Sequence, residues 1–213
     1  RLRPTLQVQA MPAPVDPEAY RHYLQGRYYW SQRSSAGLYA SIDSFEAALK
    51  IEENYIDALV GAAESWSLLP LYASVAPKQA IPRARLLAEQ VLAREPDNPR
   101  ALSVLGVVEM VYNWDWDRAE SLFRRAIESN PNDATLQQRL GELYCYRGRF
   151  DDCRRQKRTA LALDPLSPTL TMQQGSVPLY AGEYALATER YAEAIAVNPD
   201  FSMAQYARGL AFA

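Results

Sequence analysis

The sequence predicts an all-α protein, an α-solenoid of stacked helical hairpins, and three repeating registers predict it together. Gly26, Gly61, Gly106, Gly141, Gly175 and Gly209 are separated by 35, 45, 35, 34 and 34 residues. Pro96, Pro131, Pro165 and Pro199 follow at 35, 34 and 34, with Glu53 in the equivalent slot of the first unit. Between them stand Ala84, Ala119, Cys153 and Ala187, each followed seven residues later by Val91, Ala126, Ala160 and Ala194. A period of this size marks a unit that cannot bury its apolar face alone and stacks on copies of itself.

Composition agrees with a folded chain. Of 213 residues, 48% are hydrophobic and 23% charged, close to the globular average, which excludes wholesale disorder and collagen-like or coiled-coil rods. The net charge of −2 removes the long-range attraction on which non-specific nucleic-acid binding depends, so no direct nucleic-acid contact is expected. No apolar run reaches the ~18 residues of a membrane span, so no membrane insertion is expected. The chain opens at Arg1 and stops at Ala213 within an expected helix, which suggests a piece of something larger.

Taken in order, residues 1–16, with Pro4, Pro12 and Pro14, read as an extended linker holding one short alternating stretch, Leu6 to Gln9, to which a preceding domain could attach. From residue 17 to 213 the units run as five hairpins plus the first helix of a sixth. The second unit carries an insertion at about 68–81, where Pro70, Pro77 and Pro82 suggest an ordered excursion between its helices, placed to cap or line a groove. In the third, Glu109, Asp115, Asp117 and Glu120 gather around a turn as caps and solvated charge. In the fourth, Leu136, Leu140, Leu143 and Tyr144 recur at helical spacing, Arg147-Gly148-Arg149 breaks the pattern, and Phe150 to Leu163 resumes it. The small Gly and Ala/Cys slots let the paired helices approach, while Phe123 and Tyr191 supply bulk. Lys157 stands where the fourth unit should have an aromatic. In the fifth, Gln174 replaces a leucine and Pro178 predicts a kink. Arg208 takes the leucine slot of the last helix, so the stack is expected to loosen toward its C-terminal end.

Signs of chemistry are few. His22 is the single histidine and lies far in sequence from both cysteines, so no activated nucleophile is visible. No glycine-rich phosphate loop occurs and no metal-ligand spacing stands out, so neither enzyme activity, cofactor nor metal is expected. Cys153 occupies an alanine slot, which makes a buried small hydrophobe the default reading and a bond to Cys145 the alternative. Arg147, Arg149, Arg154, Arg155, Lys157 and Arg158 form the one dense basic run, read as a solvated outer face partly neutralised by Asp151 and Asp152.

The phasing resembles the tetratricopeptide repeat: Leu105-Gly106, Trp116, Ala119, Phe123, Ala126 and Pro131, then Leu140-Gly141, Tyr144, Phe150, Ala160 and Pro165, then Gly175, Tyr184, Ala187, Tyr191, Ala194 and Pro199. The resemblance implies a right-handed solenoid in which first helices line a concave groove. By offset from each glycine it assigns Tyr20, Tyr23, Arg27, Trp30, Tyr55, Trp66, Arg100, Met110, Gln138, Glu142, Tyr146, Met172, Tyr180 and Tyr206 to that groove. An aromatic and thioether lining suits a protein or peptide segment. The chaperone-tail members clamp a terminal carboxylate from slots that here hold Tyr23, Arg27, Ala58, Ala62, Ser103 and Val107, of which only Arg27 could serve.

The stretch from Asp16 to Trp30, the insertion, and Trp114-Asp115-Trp116 look like a bacterial subgroup of these repeats. That subgroup sits C-terminal to a winged-helix DNA-binding domain, a nucleotide cyclase or a protein kinase, often with a TolB-like segment between. The resemblance implies a partner-binding, regulatory part of a transcriptional or signalling protein. Its compartment is then cytoplasmic, or periplasmic if an upstream membrane anchor precedes it. The other reading is a sensor that takes a small apolar ligand or peptide near the insertion.

Overall fold

The computed structural model describes residues 15–212, so the expected linker lies almost wholly outside the described residues. Helices follow in order as α1 (Pro17–Ser31), α2 (Ser35–Ile51), α3 (Ile56–Tyr72), α4 (Pro77–Leu92), α5 (Pro99–Val108), α6 (Trp116–Ser129), α7 (Ala134–Tyr146), α8 (Phe150–Leu163), α9 (Pro168–Gln173), α10 (Ser176–Tyr180), α11 (Tyr184–Val197) and α12 (Ser202–Phe212). No strand occurs among the described residues. The helices pair as antiparallel hairpins stacked into a right-handed, tetratricopeptide-like solenoid, with α9 and α10 together acting as one first helix.

Caps and prolines set the boundaries. Asp16, Ser34, Asn98, Asp115, Asp133 and Ser167 each accept a backbone N–H of the helix that follows, satisfying donors that have no partner inside the helix. α6, α8 and α11 end two residues before Pro131, Pro165 and Pro199, as proline's bias on its predecessor requires.

One packing rule holds the hairpins. The ring of Phe45 on α2 sits so close to α1 and α3 that a Cβ on Gly26 would fall 2.6 Å from it and one on Gly61 2.5 Å. Phe123 covers Gly106 at 2.5 Å and Tyr191 covers Gly175 at 2.6 Å by the same measure. Phe45 and Phe123 have no solvent exposure, and burying such a ring is worth about 2–3 kcal/mol. Glycine is required here by this approach of ring to backbone. In the fourth hairpin Lys157 takes the aromatic's place, its stem running past Gly141.

The insertion forms no separate excursion. It lengthens α3 to Tyr72 and lets α4 begin at Pro77, with Pro70 in the last turn of α3 and Pro82 in the second turn of α4, where each forfeits little helix. Leu68, Leu69 and Ala80 bury against Leu38 and Ile42, which is why the added residues continue as helix.

A single extra residue is handled differently. The Gly106 to Gly141 interval exceeds the later 34-residue repeat by one, and α5 runs into a π-helical turn over Glu109–Asn113. Trp116 Nε1 donates to the Met110 carbonyl at 3.2 Å across that turn. The turn closes on Trp114 at φ 60°, the position that Gly148 and Gly182 hold in the next two units at φ 70° and 77°.

The fifth unit breaks as Pro178 predicts. Its ring would collide with the carbonyl four residues back, and the helix parts at Gln174-Gly175 between α9 and α10. The cysteines depart from the default reading: Cys153 is fully buried, yet it is bonded to Cys145, with Cα atoms 5.3 Å apart, so the pair staples the end of α7 to the start of α8.

Candidate functional site

The concave face divides into two halves, and the division starts with Glu64. This side chain on α3 is only 16% exposed and accepts two hydrogen bonds from Arg100, at 3.0 and 2.8 Å, and one from Arg27 at 3.0 Å. Burial works against its charge, but Arg100, Arg27 and Arg33 outweigh it and hold the carboxyl below the usual carboxylate range. Arg27 and Arg100, expected to face a ligand, are therefore tied down by the protein's own carboxylate. With Arg27 engaged and Ala58, Ala62, Ser103 and Val107 buried, nothing resembling the chaperone-tail clamp remains.

The other expected lining residues of this half are also largely covered. Tyr55 and Met110 are buried in the core, and Tyr23 stacks between Phe45 and Tyr55 with ring centres 6.0 and 5.4 Å away. Arg27 and Arg33 both lie over the Trp30 ring, while Arg83 covers Trp66. Tyr20 remains open.

The second half is open. A cavity of about 210 Å³ lies against α7, with Gln138, Glu142 and Tyr146 on one wall and Met172, Tyr180 and Tyr206 on another. Tyr146, Tyr180 and Tyr206 stay substantially exposed, and Tyr146 meets Tyr180 edge to face at 5.5 Å. Tyr146 donates to Glu142 Oε1 at 3.3 Å. The Glu142 charge, then burial, push the Tyr146 hydroxyl well above the ordinary tyrosine range, so it stays a protonated donor.

The insertion, expected to cap or line a groove, completes the cavity with residues outside the set assigned to the groove by offset. Leu68, Leu71 and Tyr72, from the inserted turns of α3, reach across the curve of the solenoid and face α7 and α12. The insertion thereby turns an open groove into a pocket. Arg33, Arg139 and Lys157 bring positive charge to its lining. Only Lys157 had a signal in the sequence: it fills an aromatic slot, and aromatic slots face inward.

Lys157 consequently leaves the expected convex basic face. Four of the other five are matched: Arg147 and Arg149 reach Glu120, Arg154 reaches Asp151 and Glu183, and Arg155 pairs with Asp152. Glu120 also accepts from Arg124 and Tyr144, making it the hub of this surface. Glu109 is buried in the π-turn near Arg85 and Arg118, at 3.9 and 3.6 Å. His22 is half-buried, and no group of three His, Cys, Asp or Glu side chains able to hold a metal occurs among the described residues.

The comparisons bear on the fold. A tetratricopeptide-repeat family model matches residues 80–134 and 172–213. Among solved structures, the chain is similar to TTC0263, a thermophilic tetratricopeptide protein of Thermus thermophilus, with 21% identity and a TM-score of 0.73, over 91% of this chain and 98% of that one. It is similar to human IFIT1, solved as a dimer with m7Gppp-AAAA, at 16% identity and a TM-score of 0.77, over 91% of this chain and 46% of that one. YrrB, described as a tetratricopeptide protein with an unusual peptide-binding site, matches at 20% identity and a TM-score of 0.51, over 92% of each chain. No curated protein sequence matches. Family model and structural neighbours together support the tetratricopeptide-repeat superfamily, and the fold is that of its solenoids. No helix among the described residues is long and apolar enough to cross a membrane.

Proposed function

We propose that the chain is a non-catalytic protein-interaction module that holds a segment of a partner protein in the C-terminal half of its concave face. The tetratricopeptide fold suggests such a module. The observation that carries the proposal is the set of exposed rings, Tyr146, Tyr180 and Tyr206, around a cavity that the protein's own side chains leave unfilled. Tyrosine offers a large rigid face and one polar handle, the combination enriched where proteins grip one another. The N-terminal half of the face, closed by Glu64, Arg27 and Arg100, acts in this reading as a rigid support.

The resemblance of Asp16 to Trp30 and of Trp114-Asp115-Trp116 to one bacterial subgroup supports reading the module as the regulatory part of a transcriptional or signalling protein. The Cys145–Cys153 bond favours an oxidising compartment, hence the periplasmic alternative over the cytoplasmic one.

Site-specific cross-linking tests the site. A photoreactive residue at Tyr180 should capture a partner that one at Arg158, on the outer face, does not. Capture from Arg158 alone would move the site to the convex surface. The second reading, a small apolar ligand near the insertion, is favoured by Leu68, Leu71 and Tyr72 bordering the cavity. It predicts ligand-dependent thermal stabilisation lost in Leu71→Ala/Tyr72→Ala.

A further inference from the structure

We infer that the cavity between Arg33, Arg139 and Lys157 is an acid-recognition subsite that receives an Asp or Glu side chain of the partner segment. The inference rests on the concave-face reading above and adds the chemistry of what enters.

Three cations converge from separate parts of the chain. Arg33 follows α1 at φ 49°, Arg139 projects from α7 and Lys157 from α8. Their matching is poor. The Arg33 guanidinium lies 3.6 Å from the centre of the Trp30 ring, with no ion-pair partner among the described residues. Lys157, 3% exposed, reaches only the Gln173 Oε1 at 2.6 Å. Arg139 has Glu142 at 3.9 Å. Glu142 is the one acidic side chain lining the cavity, so three positive groups against one negative leave a surplus of two.

That surplus is held in a costly place. A buried charge without a counter-charge is strongly unfavourable, and each of these becomes favourable once an anion arrives. Burial draws the Lys157 ammonium down to about 8, with Glu142 alone opposing it. Burial also draws Arg33 down to about 10, helped by the Arg139 and Arg27 charges and resisted by Tyr72 and Glu64. Of the other groups facing the cavity, Tyr146, Tyr180 and Tyr191 are held above the ordinary tyrosine range and are neutral donors at physiological pH.

Size and charge select a carboxylate side chain. The cavity of about 210 Å³ falls below the ~300–1,000 Å³ of pockets that enclose a drug-sized ligand, so it suits one or two side chains of a peptide lying over it. A polyanion is disfavoured, because the chain is net negative at −2 and these cations line a pocket, while the basic run of the outer face is largely paired with carboxylates. The tyrosine rim can meanwhile accept the peptide's apolar neighbours.

The test uses the full chain and short fluorescent peptides with one to three Glu in a Tyr/Leu/Ser background, their Gln counterparts, a phosphoserine version and single-stranded oligo(A). Anisotropy should show acidic peptides binding at least about tenfold more tightly than the Gln set, the size expected of one charge-assisted hydrogen bond. Lys157→Met and Arg139→Gln should each remove that preference, bringing Glu and Gln peptides to equal affinity. Glu142→Gln, which deletes the cavity's own carboxylate, should tighten acidic peptides several-fold; a gain of this kind cannot come from misfolding. Equal binding of Glu and Gln peptides that is lost in Tyr146→Ala/Tyr180→Ala overturns the acid subsite and keeps the groove. Absence of binding by every peptide, or binding indifferent to the tyrosines, overturns both. Preference for oligo(A) or for phosphoserine over Glu also overturns the assignment, moving it to nucleic acid or to phosphate.

Discussion

Gly106 and Gly209 occupy equivalent places in the repeat, and replacing each by alanine should change stability in opposite directions. In a helix interior, glycine to alanine ordinarily stabilises by about 0.5–1 kcal/mol through backbone entropy. At Gly106 the new Cβ would lie 2.5 Å from Phe123 Cε1 and 2.8 Å from its Cδ1, in contact with a ring that has no exposure at all. The ring must retreat by nearly 1 Å to reach ordinary contact, and its neighbours Ala119 and Leu140 are themselves buried. Overpacking of this kind costs about 1–3 kcal/mol, which after the entropic gain leaves Gly106→Ala destabilised by about 1–2 kcal/mol. At Gly209, exposed on α12, no atom lies within 4 Å of the added Cβ, so the helix gain of about 0.5 kcal/mol stands unopposed. Urea unfolding followed by circular dichroism at 222 nm separates the two. Stack proteins need not unfold in one step, so midpoint and slope are compared together. Gly106→Ala as stable as the parent, or Gly209→Ala weakened as much as Gly106→Ala, would refute the ring-over-glycine account.

Three further substitutions probe the charges and the turn. Glu64→Gln should cost about 2 kcal/mol at neutral pH by leaving Arg100 and Arg27 without their counter-charge. Because the folded carboxyl lies below its ordinary 4.5, that contribution is complete above 4.5 and fades as pH falls through the folded value, so acid titration of both proteins should bring their stabilities together. Lys157→Met should be about 2 kcal/mol more stable at pH 7. The unfolded chain keeps the lysine proton up to about 10.5 and the folded one releases it near 8, so parent stability should rise with pH across that window while the variant stays flat; a flat parent curve would contradict the burial of the ammonium. Trp114→Gly should stabilise by about 0.5–1 kcal/mol in thermal unfolding, since a left-handed backbone costs a side-chain-bearing residue about 1–2 kcal/mol and the unfolded glycine chain recovers part of that. A loss instead would show that the Trp114–Trp116 contact outweighs the backbone.

The sequence was most informative where one physical requirement recurs. Glycine under an aromatic ring, small residues between paired helices and proline after the second helix each leave a periodic mark, so the hairpins could be read directly. What could not be read was how departures from the period are absorbed. The insertion around Pro70, Pro77 and Pro82 looked like an excursion because prolines end helices, yet these prolines fall close enough to helix ends that burial of Leu69 and Ala80 prevails. The extra residue before Trp114 carries no composition signal at all and becomes a π-turn. The site suffered for a related reason. Offsets from each glycine give the face of a helix, but they cannot tell that Glu64 reaches both Arg27 and Arg100, or that Leu71 and Tyr72 of the second hairpin line one cavity with Arg139 of the fourth. Those juxtapositions join units far apart in sequence, and no local pattern encodes them.

Lys157 shows how fold and proposed function bear on the same slot. Phe45, Phe123 and Tyr191 each insert a ring against glycine on the first helix and lock a hairpin; Lys157 reaches the same place with an aliphatic stem and an ammonium. Packing alone would favour an aromatic there, and a buried unpaired cation opposes folding. A residue that breaks the rule of its own repeat, at a cost to stability, is where a binding role should be sought. The disulfide across the α7–α8 turn lies in that same hairpin, and it tethers the two helices that carry Arg139 and Lys157. Stapling them limits how far the two cations can separate. An entering carboxylate would then bind to charges already in position, rather than having to gather them.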